Sequence, residues 1–193
     1  MAASKTNYVV IPTKESEEST VLVFNYPPLL IPTDVYQPEL QKEYLKFQFD
    51  LADLGVIFED HITDYVGLYF LNHQDHFFLS REYPYLKFEH RSLYYYKKFQ
   101  QSTPELDLRE YRLVLIMDEE RADFWLEKEG KLFLMNCFEF TSEYDILYFV
   151  SNILKQYEIL AKECSLFLQK ISGNHEATIK LLSQYFHTLP FPS

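Results

Sequence analysis

KLFLMNCFEFTSEYDILYF, residues 131–149, runs from an almost unbroken apolar strand into an amphipathic helix with neither glycine nor proline at the joint. Ser142 is placed to cap the helix. Asp145, three positions on, is placed to reach back as its capping-box partner, so amides that a looser joint would leave to water are satisfied locally. Beyond the cap, Ile146, Phe149, Val150, Ile153, Leu154 and Tyr157 recur at helical spacing, a stripe wide enough to cover a sheet. The preceding strand is apolar on both faces, with Leu132, Leu134 and Phe138 on one side and Phe133, Met135 and Cys137 on the other. That pattern predicts a central strand covered twice.

Working outward, RLVLIM (112–117) and ADFWLEK (122–128) read as two further strands, and Glu129 and Gly130 form a tight turn where a hairpin needs positive φ. Downstream, SLFLQ (165–169) is a strand and residues 176–186 a helix, giving the order βββαβα. Residues 106–193 are therefore expected to form one lobe. The preceding half, residues 21–105, is less regular. A strand over 21–25 is followed by NYPPLLIPTDVYQPEL, whose Pro27, Pro28 and Pro32 oppose regular structure, and Pro38 opens a helix through about Phe47. Extended segments over 54–60 and 65–71, a helix over 74–82, a strand YLKFEH (85–90) and a helix SLYYYKKFQQ (92–101) complete it. The polar stretch TKESEEST (13–20) marks residues 1–20 as a mobile segment ahead of the ordered body.

The chain has 193 residues, 47% hydrophobic and 18% aromatic, enough to bury a sizeable core. Its net charge of −11, from 18 basic and 29 acidic side chains, argues against a nucleic-acid or anionic-membrane partner. No stretch approaches the roughly 18 to 20 apolar residues of a membrane span, and the first residues lack the apolar core of a secretory signal, so the expected location is cytoplasmic. Cys137 and Cys164 stand apart without CxxC spacing, as two reduced core thiols.

The order βββαβα, carried by LEKEGKLFLMNCFEFTSEYDILYFVSNILKQYEI (126–159) and more weakly by VLVFNYPPLLIPTDVYQPELQKEYLKF (21–47), resembles an uncharacterised bacterial family with an actin-like ATPase fold. In that fold two lobes are each built on a ribonuclease-H-like core. The resemblance implies an α/β protein of mixed sheets with flanking helices. It also implies an incomplete first lobe, because members look longer and open with a strand meander and helix that have no counterpart here. VVIP would then be a remnant, or the start would be misplaced, or a partner would complete the sheet, whose open edge is a template for another chain.

The resemblance assigns no activity, and the residues argue against ATP hydrolysis. Actin-like enzymes carry an acid followed by glycine between the first two strands of each lobe; MDEERADF supplies Asp118 but then Glu119 and Glu120, which bring negative charge to the phosphate position. Only four glycines occur in the chain, none adjacent to another, and GxxxxGK[ST] and GxGxxG are absent. A nuclease would draw on Asp118, Asp123, Glu139 and Asp145 for two metal ions, but no basic groove accompanies them. His73, Asp75 and His76 in NHQDH fall short of a four-ligand zinc set and read as a solvated helix entrance. In LYYYKKF, Leu93, Tyr96 and Phe99 face the core, leaving Lys97 and Lys98 on the solvated side.

No catalytic, cofactor or metal residue is therefore expected. The sequence points to a non-enzymatic interaction or scaffold protein, the alternative being a nucleotide-binding protein with drifted phosphate loops. Asp145 is expected to be structural first. Tyr148, with Asp145 and Asn152 off the apolar stripe, is expected to present a ring to a partner. In the first lobe Tyr26, Leu29, Leu30, Ile31, Tyr36, Phe47 and Phe49 supply more apolar surface than a thin sheet can hide, so a protein partner or a second copy is expected there.

Overall fold

The computed structural model describes residues 8–12, 19–24, 26–49, 53, 55–83, 85–102 and 109–192. Residues 103–108 of the loop STPELDLRE and residues 13–18 of the polar stretch lie outside the described residues. The chain divides into two compact units, Met1–Lys97 and Lys98–Ser193.

The second unit holds strands β7 (Tyr111–Met117), β8 (Arg121–Lys128), β9 (Lys131–Glu139), β10 (Cys164–Lys170) and β11 (His187–Pro190), in the order β11-β10-β7-β8-β9. The first three form the expected antiparallel meander, while β10 runs parallel to both β7 and β11. Glu129 (φ 50°) and Gly130 (φ 76°) make the tight turn, both in the left-handed region a two-residue hairpin requires. Helix α4 (Glu143–Gln156) joins β9 to β10, and α5 (Glu176–Leu182) joins β10 to β11. Ile146, Val150, Ile153 and Leu154 of α4 pack on Leu113, Leu115, Phe124, Leu126 and Leu166 of the sheet. On the other face, Phe99, Trp125, Phe167 and Phe191 meet edge to face or tilted, their centroids 5.0 to 6.4 Å apart. That geometry is favoured by the ring quadrupoles.

One expectation is overturned. β9 is an edge strand, and the doubly covered strand is β7, flanked by β8 and β10. The cause is the strand order, since β10 pairs with β7 and not with β9; β9 itself carries a β-bulge, where Leu126 pairs with Leu134 and Glu127 with Leu132, leaving Phe133 as the extra residue, 47% exposed. An apolar run thus turns one large side chain outward. Phe133 still finds a neighbour, since the Tyr157 hydroxyl donates to its carbonyl at 3.1 Å.

The first unit contains two three-stranded sheets, where one small sheet is expected. β1 (Tyr8–Pro12) pairs antiparallel with β2 (Ser19–Val23), which pairs in parallel with β6 (Leu86–His90). β3 (Leu29–Pro32) and β4 (Val56–Ile62) flank the antiparallel β5 (Tyr65–Leu71). The ordered body therefore begins at least at Tyr8, because VVIP is paired strand. Likewise LLIP forms a ladder despite Pro32, which is tolerated at the end of an edge strand where no amide is needed.

Helices α1 (Gln41–Gln48), α2 (His73–Glu82) and α3 (Arg91–Gln101) complete the set, and the division between units falls within α3. Gly67 lies in close approach to α3: a Cβ there would lie 2.5 Å from the tip of the Leu93 side chain, which would have to shift. Leu29, Tyr36, Tyr44, Phe49 and Ile57 pack around Ile31, Leu45, Val66, Leu68 and Phe70. Of the apolar residues expected to stay uncovered, Ile31 is buried, Leu29, Leu30, Tyr36 and Phe49 are half-buried, and Tyr26 and Phe47 are 38% and 96% exposed.

The same unit also buries charge. Asp60, Glu89 and His90 are all buried. Lys97 donates to Asp60 at 3.0 Å and to Glu89 at 3.2 Å, so it is not on the solvated side as the helical spacing suggested. Burial opposes the Lys97 charge, yet the two carboxylates outweigh it and raise its pKa.

Candidate functional site

The strand-to-helix joint is the expected cap and more. Asp145 Oδ2 accepts from the Ser142 amide (2.9 Å), the Thr141 amide (2.9 Å) and the Thr141 hydroxyl (3.0 Å), while Ser142 Oγ accepts from the Asp145 amide at 3.4 Å. The amide and hydroxyl of Thr141, then the Ser142 amide, hold the Asp145 carboxyl below the usual aspartate range. Thr141 escaped sequence reading because its contribution requires the chain to turn back on itself. Asp145 is thus engaged by its own joint. Tyr148, one turn further, is 64% exposed and Asn152 half-buried, all three at positions that share one helical face. Tyr144, 65% exposed and four residues before Tyr148, extends the aromatic surface; the i, i+4 spacing was the signal for it.

The first-unit candidates lie elsewhere in the fold. Leu29 and Leu30 sit in β3 opposite Leu68 and Gly67, both half-buried. Tyr36 is half-buried too; its hydroxyl donates to Glu59 and accepts from Gln41 at 2.7 Å. Burial first, then the Glu59 bond, raises its pKa, although the Gln41 bond opposes this.

The carboxylates considered for a nuclease do not form one centre. Asp118 Oδ1 accepts from the amides of Glu120 (3.1 Å) and Arg121 (2.8 Å), bracing the β7–β8 turn. Asp123 faces Cys137 across the ladder and Glu139 faces Arg121, so the two acids are on neighbouring strands but not opposite one another. Among the described residues no three His, Cys, Asp or Glu side chains converge to share a metal ion. NHQDH behaves as a helix entrance: Asn72 caps α2 by accepting from the Asp75 amide at 2.8 Å, and His76 packs against Phe58 and Phe88. Of the cysteines, both free, Cys164 is buried and Cys137 half-buried.

Three loops that sequence distance separates meet at the carboxyl ends of β7, β9 and β10 around a cavity of about 410 Å³. Glu119 comes from the β7–β8 turn, Thr141 to Glu143 from the joint, and Gly173 to His175 from the segment before α5. Carboxyl ends of strands are where open α/β sheets place ligands. A nucleotide phosphate fits poorly: Asp118 is turned into its own loop, Glu119 and Glu143 line the wall, and the Thr141 and Ser142 amides are taken by Asp145.

Residues 11–189 match the model of a family of proteins of unknown function, DUF3822. The chain belongs to DUF3822. Among solved structures, this DUF3822 chain is similar to a Bacteroides thetaiotaomicron protein described as having an actin-like ATPase fold and unknown function, with a TM-score of 0.71 and 17% identity. The match covers 84% of this chain and 64% of that one, so the DUF3822 chain spans less than two thirds of that protein's length. The likeness establishes the actin-like, mixed α/β fold. No curated protein matches. No helix among the described residues is long and apolar enough to cross a membrane.

Proposed function

We propose that this DUF3822 protein is a non-enzymatic, cytoplasmic interaction or scaffold protein on a degenerate actin-like fold, which meets a protein partner or a second copy through α4 and the β9 edge. The observation that carries this reading is the turn after β7, where Asp118 accepts from the Glu120 and Arg121 amides and Glu119 lines the cavity. Negative charge stands where phosphate would need donors. Exposed Tyr144, Tyr148 and bulged Phe133 support a contact surface, since aromatic side chains are enriched at interfaces and β9 is an edge strand among the described residues. The fold of the Bacteroides neighbour favours one rival, a nucleotide-binding protein with drifted phosphate loops.

A photo-cross-linking residue at position 148 of the full chain tests the surface. The expected result is a discrete cross-linked species, a dimer or a complex with one partner, that is absent with the same probe at Glu158, just beyond the carboxyl end of the helix. Equal labelling at both positions, together with turnover of ATP, would overturn the proposal.

A further inference from the structure

The chemistry of the cavity in the second unit points to a ligand. His175 and Thr178 line it at 4% and 5% exposure. His175 Nε2 lies 2.8 Å from the Ser172 carbonyl oxygen. A carbonyl only accepts, so Nε2 carries the hydrogen and Nδ1 of the neutral ring is left as an acceptor. Neither Nδ1 nor the Thr178 hydroxyl has a protein partner among the described residues. Both residues line the open space of the cavity, where a ligand could reach these two atoms.

Two carboxylates, Glu119 and Glu143, share the wall, and neither forms an ion pair among the described residues. The loop is held tight around them: Gly173 has φ of 83°, and a Cβ there would lie 3.0 Å from His175 Nε2 and 3.3 Å from the Glu119 side chain. The charge of the lining is therefore one-sided: Glu119 and Glu143 line the cavity and no lysine or arginine among the described residues does. Carboxylates and the imidazole nitrogen accept, and Asn174 alone offers a side-chain amide donor, its oxygen already accepting from Glu176 at 3.2 Å. A phosphate or carboxylate would meet two like charges and no cationic side chain. Glu119, Glu143 and His175 do not converge as metal ligands either.

We propose that this cavity binds an organic cation, a primary ammonium or a guanidinium group, which donates to His175 Nδ1 and Thr178 Oγ1 and is charge-matched by Glu119 and Glu143. The volume suits a group of several heavy atoms, toward the small end of ligand pockets. The group could come from a small free amine or from a lysine or arginine side chain of a partner, and the chemistry is the same. The site is independent of the exposed α4 tyrosines.

Titration of the full chain with agmatine and, separately, with the blocked peptide acetyl-Gly-Arg-Gly-amide, followed by amide NMR and calorimetry, tests this. Saturable shifts centred on residues 119, 140–143 and 173–178 are expected. Tighter binding of agmatine would identify a free amine, and tighter binding of the peptide a partner's side chain. Glu119→Gln, at an exposed position that leaves the core intact, should weaken binding at least tenfold, and Thr178→Val several-fold. No saturable response to either probe, an equal response to inorganic phosphate, or agmatine affinity unchanged in Glu119→Gln would each overturn the proposal.

Discussion

From Lys98 onward one five-stranded sheet offers α4 a continuous apolar face, with Leu113, Leu115, Phe124 and Leu126 all fully buried. Up to Lys97 the strands are divided between two three-stranded sheets, and Asp60, Glu89 and His90 are shut away from water beside them. The two interiors respond to different insults. An apolar face loses stability when volume is removed, whereas a buried charge cluster loses it when one partner goes and the others remain. His90 shows how specific the second kind is: its Nε2 lies 2.7 Å from the Tyr26 carbonyl and its Nδ1 accepts from the Ser92 amide, so both nitrogens are assigned.

The largest effect should come from the apolar unit. Phe124, whose ring meets those of Phe138 and Phe149, should cost about 3 to 5 kcal/mol when cut to alanine, measured by denaturant unfolding. A loss under about 1 kcal/mol would mean that the face is looser than its burial implies. The charge cluster comes next. Lys97→Met should cost about 2 kcal/mol, less than a fully buried pair because the lysine remains partly wet. Adding Asp60→Asn and Glu89→Gln should recover much of that loss, and failure to recover it would show that Lys97 acts through packing alone.

The joint before α4 gives the smallest effect and the sharpest signature. Ser142→Ala should cost about 1 kcal/mol through the lost cap. Asp145 has its folded pKa lowered, so its stabilisation is complete above the ordinary value near pH 4 and disappears as pH falls through the lower folded value. Wild type and Asp145→Asn should therefore differ by a constant amount from about pH 5 to 7 and converge in acid. A gap that widened on acidification would contradict the cap.

What the sequence makes legible follows from locality. The cap at Ser142 and Asp145 is a four-residue pattern, and the stripe from Ile146 to Tyr157 is a periodic one, so both can be read directly. β1, β3 and β11 escape, and they share a reason: each is a short edge strand ending in proline, at Pro12, Pro32 and Pro190. A proline ends a ladder without preventing it, provided the strand has an open side. The edge position of β9 is not legible because β10 pairs with β7, a long-range choice that no local pattern in residues 131–139 records, while the bulge at Phe133 lets an apolar run turn one ring outward. The cavity was invisible for the same reason, since Glu119, Glu143 and His175 are brought together only by tertiary structure.

The likeness to the Bacteroides neighbour establishes the fold alone, while the loops at the carboxyl ends of β7, β9 and β10 present Glu119 and Glu143; the proposed interaction reading stands on the second fact. Thermal unfolding of the full chain with and without millimolar Mg-ATP and Mg-ADP tests that most directly. The expected result is a melting temperature unchanged by either nucleotide. Stabilisation that grows with concentration, reaching about 2.7 kcal/mol at a hundred times the dissociation constant, would contradict it and return the protein to the nucleotide-binding class.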